Sequence, residues 1–311
     1  MGRYVLRRIG QGLFTVLLVV SVVFILIRLA PGDPAFALAG QTATSEQLEE
    51  IRRQFGLDKP LPLQYLLFLQ NLLRGDLGTS FSFGENAIAV VLRALPYTLL
   101  LAVAAILFTA LIAIPLGILT ARKANTALDT SVNVVTITGQ SMPDFWLGIM
   151  LIVLLAVTIP IFPTSGFDSW SALVLPATTV AILQIAVISR LVKREMLRNL
   201  SAPFVSVARS RGLTESVLTW RYAFGNAAIP VVTALGTRFA AMLNGVVIVE
   251  VVFSWPGIGS LVVRALETRD YPLIQATVLV TATLAVGVQL LVDLLYPLLD
   301  PRVRLGKVAA R

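Results

Sequence analysis

The 311 residues are 57% hydrophobic and 14% charged, whereas a soluble domain carries about 25% charged residues; the composition excludes a water-soluble fold and predicts an all-α integral membrane protein. The net charge of +8 is assigned to loops on one side of a membrane, and no basic patch is interleaved with stacking aromatics as a nucleic-acid partner requires. With no cysteine and no histidine, disulfides, thiolate chemistry, Cys/His metal sites and imidazole bases are excluded.

A helix needs about 20 apolar residues to cross a bilayer. Six runs qualify, at 9–29, 97–120, 131–157, 173–191, 229–253 and 275–298. The first follows Arg3, Arg7 and Arg8 and precedes "AFALAG", which imitates a cleavage site. Its apolar core exceeds the roughly 7 to 15 residues of a signal peptide, so a retained helix is expected.

Residues 31–96 form a segment between the first two spans. Thr44 and Gln47 fit a capping box, Leu48, Ile51 and Phe55 share a helix face, and Gly56 with "DKPLP" stops it. A second amphipathic stretch, "LQYLLFLQNLL", ends at "RGDLG". Such helices either rest on the bundle at the membrane interface or dock an external partner.

In the third span Asp144 follows Pro143 at an expected helix break. It either faces a pathway or sits in a wet turn. Glu250 and "SWPGIGS" end the fifth span on the outer side, as a gate or as an ordinary helix-terminal turn. Arg238 lies about 12 Å along a helix from Pro230, and Asp293 about 8 Å from the inner end of the last span. At similar depth they either pair or, in the case of Arg238, attract a substrate carboxylate, because an intramembrane charge needs a partner or water. Asn244, in the same span as Arg238, joins the pathway candidates.

Counting lysine and arginine orients the chain. Sixteen of the 25 fall before the first span, between spans two and three, between four and five, and after the sixth; the alternate segments hold five, none and two. Both termini are therefore expected to be cytoplasmic.

The polar stretch "ARSRGLTESVLTWRYAFGNAAIP", 208–230, then lies inside. Phe204, Val207, Ala208 and Arg211 follow the spacing of one helix face, and Arg209 and Arg211 suit a helix C-terminus. Gly212 supplies a left-handed stop, and Thr214 with Glu215 reads as a new N-cap and acidic first turn. The second helix is expected to end near Gly225 and Asn226, with Pro230 opening the next span. Periodicity alone leaves two readings, a rigid lever or an amphipathic helix lying on lipid.

"ARSRGL", which includes Leu213, and "NAAIP" eighteen residues on resemble the coupling (EAA) loop of ABC-importer permeases of the dipeptide, oligopeptide and nickel branch. The resemblance extends in order through "RLAPGDP", "FGLDKPLPLQY", "LLRGDLGTSF", "PDFWLG", "VFSWPGIGSL", "RDYPLIQ" and "LLVDLLYPLLDPRVR". Departures occur at Pro203 and Phe204, where the branch usually shows Asp-Tyr, at Tyr222 and Gly225, where His and Arg are common, and at Arg238, where Gln is usual.

The resemblance implies a type I ABC importer permease fold with six transmembrane helices, multi-pass in the bacterial inner membrane. It implies residues 1–96 as first helix plus extracytoplasmic segment, 97–300 as a five-helix core with its coupling loop at about 191–228, and 301–311 as a cytoplasmic tail. It further implies a second, homologous permease, two ATPase subunits that receive the coupling helix in a groove, and an external substrate-binding protein. The chain contains no Gly-x-x-x-x-Gly-Lys-[Ser/Thr] loop, so no cofactor is expected on it and ATP is expected to be used by partners. Peptides are the expected cargo, with nickel chelates, glutathione, opines or oligosaccharides as alternatives on the same scaffold. A proton-coupled secondary transporter is the rival class; it would need intramembrane carboxylates and usually repeated halves, and no internal repeat is evident.

Overall fold

The computed structural model describes residues 2–29, 44–54 and 58–299. The calls on Phe55, Gly56, "RLAPGDP" beyond Leu29 and the 301–311 tail lie outside them. Among the described residues the chain is helical, apart from one isolated antiparallel bridge between Thr79 and Asn86. In chain order the helices are α1 (Gly2–Leu29), α2 (Ser45–Gln54), α3 (Leu61–Leu73), α4 (Ala87–Arg122), α5 (Ala127–Ser141) and α6 (Asp144–Ile152). They continue with α7 (Val174–Leu200), α8 (Pro203–Ser210), α9 (Gly225–Gly245), α10 (Val247–Val252), α11 (Ile258–Glu267) and α12 (Tyr271–Leu299).

Five stretches are long and apolar enough to cross a membrane: Leu6–Leu29, Ala87–Arg122, Trp170–Leu200, Glu215–Leu243 and Tyr271–Asp293. A sixth is the pair Ala127–Ser141 and Asp144–Thr158, bent by 101°. The break expected at Pro143 within the 131–157 run is thus present, at Met142. The residue before a proline is driven out of the α region, and Met142 is extended at φ −85°, ψ 136°. The fifth span also stops short of the expected 253: α9 ends at Gly245, and α10 begins beyond Val246. Glycine followed by β-branched Val246 and Val247 is a weak helical stretch.

The chain forms two compact units. One comprises 2–98 and 256–287, so the N-terminal segment shares its unit with α11 and the first part of α12. Here Phe24 of α1 packs on Phe68 and Tyr65 of α3 at ring distances of 5.0 and 5.3 Å, and Ser21 Oγ and the Tyr65 hydroxyl are 2.6 Å apart. Arg28 Nε donates to Gln64 Oε1 at 2.7 Å, with its guanidinium 3.9 Å from the Phe24 ring centroid. The capping box forms: the Thr44 N–H donates to Gln47 Oε1 at 3.0 Å, and the Gln47 N–H reaches Thr44 Oγ1 at 3.4 Å. Leu48 is buried. Fully buried Asp270 accepts from Ser80 Oγ at 2.5 Å, from Ser82 N at 2.9 Å and from Leu273 N at 3.2 Å, so one carboxylate ties the 80–82 turn to the start of α12.

The other unit comprises 99–255 and 288–299. Its core joins Ala113, Ile118 and Ala121 of α4 to Ile188, Val192 and Met196 of α7, and to Ala223, Ala227 and Val231. Lipid tails are as apolar as leucine, so close approach of backbones supplies the specificity of such contacts. Gly117 provides it: a Cβ there would lie 2.6 Å from Ser189 O and 2.6 Å from Val192 Cβ. Asp129 pairs with Lys193 at 2.5 Å and accepts from Asn133 Nδ2 and Asn125 N, joining α5 to α7. Substituting Gly117→Ala must push α4 and α7 apart and is expected to cost about 1–3 kcal/mol, the usual range for overpacking. A lowered thermal unfolding midpoint in detergent micelles checks this.

Candidate functional site

The polar stretch folds as an elbow. Pro203 opens α8 in the first turn, where its missing N–H is harmless. The helix stops at Gly212, whose φ of +80° lies in the left-handed region that disfavours a side chain. The Gly212 N–H donates to Arg209 O at 3.0 Å and the Leu213 N–H to Ala208 O at 3.4 Å. Thr214 takes the extended N-cap conformation, but its side chain makes no capping bond; its carbonyl accepts the Leu218 N–H at 3.0 Å.

The expected single face is split. Val205, Ala208 and Leu218 are buried against one another, flanked by Leu213 and Tyr222. Phe204 and Val207 stay 42% and 51% exposed, and Arg211 is exposed beside them. Ala208 therefore braces the elbow internally rather than facing outward with Phe204. Arg209 and Glu215 pair across the turn at 2.8 and 3.4 Å. The hydrogen bond with Arg209 holds the Glu215 carboxyl below its ordinary value and raises the Arg209 guanidinium.

A helical turn at Glu215–Val217 leads into a π-helical segment, Leu218–Phe224, and then directly into α9. The expected end near Gly225 and Asn226 is absent: Gly225 is helical at φ −53°, ψ −40°, and Pro230 lies inside the helix. Asn226 Nδ2 donates to Tyr222 O at 2.7 Å where the π turn meets the α-helix. Trp220, 50% exposed and edge-on to Phe224 at 5.7 Å, belongs to the same elbow. No 3.6-residue pattern could place it on a face, because π geometry shifts the register.

The intramembrane candidates do not converge. Gly236 and Val292 are in contact range, with a Cβ on Gly236 3.0 Å from Val292 Cγ2, so α9 and the end of α12 touch at this level. Yet among the described residues Arg238 makes no salt bridge, with Asp293 or otherwise; Asp293 accepts from Gln289 Nε2 at 3.1 Å. The Asn244 side chain lies outside the described ones. Glu250 is fully buried on α10, and its carbonyl takes the Trp255 N–H at 2.7 Å. Trp255, also fully buried, packs tilted against Phe167 at 4.8 Å, while Gly166 N donates to Phe253 O at 2.8 Å. Trp255 of the "SWPGIGS" turn is thus packed into the core unit.

Asp144 opens α6, and its Oδ1 accepts the Phe145 N–H at 2.9 Å. With Gln184 of α7, Met242 of α9 and Val249 of α10 it lines a cavity of about 100 Å³. Gln184 carried no motif or charge that would single it out in the sequence.

Residues 113–305 match the family model "Binding-protein-dependent transport system inner membrane component", and residues 1–104 match the model of its N-terminal region. A putative peptide transport system permease protein of Brucella abortus is 37% identical over 308 residues, covering 96% of this chain and 98% of that protein. The probable D,D-dipeptide transport system permease protein DdpB of Escherichia coli is 38% identical over 97% and 98%. The glutathione transport system permease protein GsiC of Pectobacterium atrosepticum is 37% identical over 97% and 98%. Among solved structures, an inward-facing MetNI methionine ABC transporter aligns over 68% of this chain and 96% of its own, with a TM-score of 0.56 at 17% identity.

The chain belongs to the family of binding-protein-dependent transport system inner membrane components. It is a multi-pass permease subunit of an ABC importer with the type I permease fold.

At Gly212 a Cβ would meet no atom within 4 Å, so only the backbone conformation disfavours a side chain. Gly212→Val is expected to destabilise the elbow by about 1–2 kcal/mol and Gly212→Asn by distinctly less. Hydrogen exchange of the Leu213–Leu218 amides reads both.

Proposed function

We propose that this permease imports peptides or small peptide-like solutes, and that its 203–224 elbow receives the force of ATP hydrolysis from separate ATPase subunits. The observation that carries the reading is the pair of exposed apolar side chains, Phe204 and Val207, on a helix braced from behind by Val205, Ala208 and Leu218. Apolar anchors projecting from a rigid helix suit a groove on a partner, and the continuous helical path from Glu215 into α9 suits the transmission of a push. The excess of basic residues in the segments flanking this elbow supports a cytoplasmic location for it and for both termini.

The complete importer then comprises a second permease, two ATPase subunits and an extracytoplasmic binding protein in a bacterial inner membrane. This chain binds no cofactor and hydrolyses nothing. Relatives described as peptide and D,D-dipeptide permeases support the peptide class. The glutathione relative at similar identity supports a second reading within it, since glutathione is itself a tripeptide. The half-buried Arg238, without an ion pair among the described residues, suits a role along the pathway.

Phe204→Glu and Val207→Glu place a charge on the docking face without touching the elbow's core. Each is expected to cost about 2 kcal/mol of association, roughly thirtyfold, seen as lost co-purification of the ATPase subunits and lost ATP-dependent uptake of a labelled dipeptide. Retained co-purification in both variants would refute the elbow as the docking element. Arg238→Gln is expected to leave assembly intact while weakening uptake of free-carboxylate dipeptides relative to their amides, by about tenfold or less, measured by competition in proteoliposomes.

A further inference from the structure

One helix of the N-terminal unit is apolar on two opposite sides. α3 carries no charged residue along its 13-residue length. Its Tyr65, Phe68, Leu69 and Leu72 join the core that includes Phe24 of α1. Leu63, Leu66 and Leu73 follow the spacing of the other side, and all three are exposed, Leu66 by 62% and Leu73 by 90%. Gln70 is the polar member of that row. A helix facing water reserves this side for charged and polar groups.

The level at which α3 crosses α1 decides what covers the leucine row. The apolar span Leu6–Leu29 has 24 residues, about 36 Å of helix against about 30 Å of hydrocarbon. Centred on the bilayer, it overshoots by about 3 Å at each end. Tyr65 and Phe68 both pack on Phe24, which precedes Leu29 by five residues and so lies about 4 to 5 Å inside the hydrocarbon edge. Ser21, in contact with the Tyr65 hydroxyl, is deeper still. Helices that lie in the plane of a membrane interface are buried to about 5–10 Å. Arg28, bonded to Gln64, sits at the edge itself, where a long basic side chain reaches the headgroups.

The flanks of α3 and the surface of α1 agree with this placement. Asp58 and Lys59 before α3, and Arg74 and Asp76 after it, are exposed, so the chain returns to polar surroundings at both ends. Along the same turns of α1, Val22, Ile25, Leu26 and Leu29 are also exposed. The leucine row of α3 thus continues the apolar outer surface of a membrane span.

We propose that α3 lies within the leaflet at the carboxyl end of α1, with Leu63, Leu66 and Leu73 in contact with phospholipid acyl chains. The aromatic side grips α1 and the leucine side grips lipid. α3 therefore anchors the segment between the first two spans to the bilayer and offers no docking face to a water-soluble partner.

The chain has no cysteine, so Leu66→Cys and Leu73→Cys each place one thiol on the leucine row. Glu49→Cys places one on the exposed, charged side of α2. The permease and ATPase complex is held in nanodiscs of phosphatidylethanolamine and phosphatidylglycerol, which leave both faces open to buffer, and adducts of a charged maleimide are counted on the permease by mass. The thiols at 66 and 73 are expected to react at least about tenfold more slowly than the one at 49, since transfer of a leucine-sized side chain into hydrocarbon is worth that factor or more. A thiol covered by protein would also be slow, so the photo-reactive benzoylphenylalanine is placed at the same two positions to identify the neighbour. Phospholipid adducts on irradiation, with and without the external binding protein, are the expected result. Maleimide reaction as fast as at 49, an absence of lipid adducts, or cross-links to another protein in their place would overturn the proposal.

Discussion

Inside hydrocarbon every backbone N–H and C=O must find a partner within the protein, so a helix can be interrupted there only where it meets other chain or enclosed water. The core unit of this permease is organised by that constraint. The third span bends by 101° at Met142–Pro143, and the fifth is interrupted at Val246; both discontinuities border the same cavity beside α7. α6 and α10 pack directly on each other, with a Cβ on Gly148 placed 3.1 Å from Phe253 and 3.3 Å from Val252. Two broken helices thus shield each other's ends, and neither break would be tolerable facing lipid.

The elbow solves a different problem, that of stiffness. A loop between two spans transmits displacement only if it resists bending. This one has a small core of its own in Val205, Ala208 and Leu218, a salt bridge across its turn between Arg209 and Glu215, and an uninterrupted helical connection to α9. Pro230 removes one N–H from that helix, yet the helix passes through it because Ala227 and Val231, on either side, are buried against α4 and α7. Tertiary packing overrides a local breaker here. The elbow thus runs without interruption into the helix that lines the cavity through Ala241 and Met242.

Most local signals in the sequence are present where the interaction they describe is itself local, the side-chain cap of Thr214 being the exception. The capping box at Thr44 and Gln47, the stop at Gly212 and the break at Pro143 each depend on a few consecutive residues, and each is present. Failures came where the outcome depends on something distant or on a change of helical register. The face shared by Phe204 and Ala208 was drawn on an isolated helix; α8 instead turns Val205 and Ala208 towards Leu218. The end expected at Gly225 was inferred from residues that favour termination, and packing of Ala223 and Ala227 carries the helix across it. The role of Asp270 could not be read for the same reason: its partner Ser80 is 190 residues away, which leaves no trace in periodicity.

The charged side chains of the helices differ in how they are held. Arg28 is held by Gln64 and the Phe24 ring, and Asp129 by Lys193 and two asparagines. Each of these groups is spent on joining one helix to another. Asp144 accepts the Phe145 N–H at its own helix start, and Arg238 makes no ion pair with a described residue although α9 and α12 touch two residues away, at Gly236. Arg238 also precedes the cavity-lining Ala241 and Met242 by three and four residues, the spacing of a common helix face.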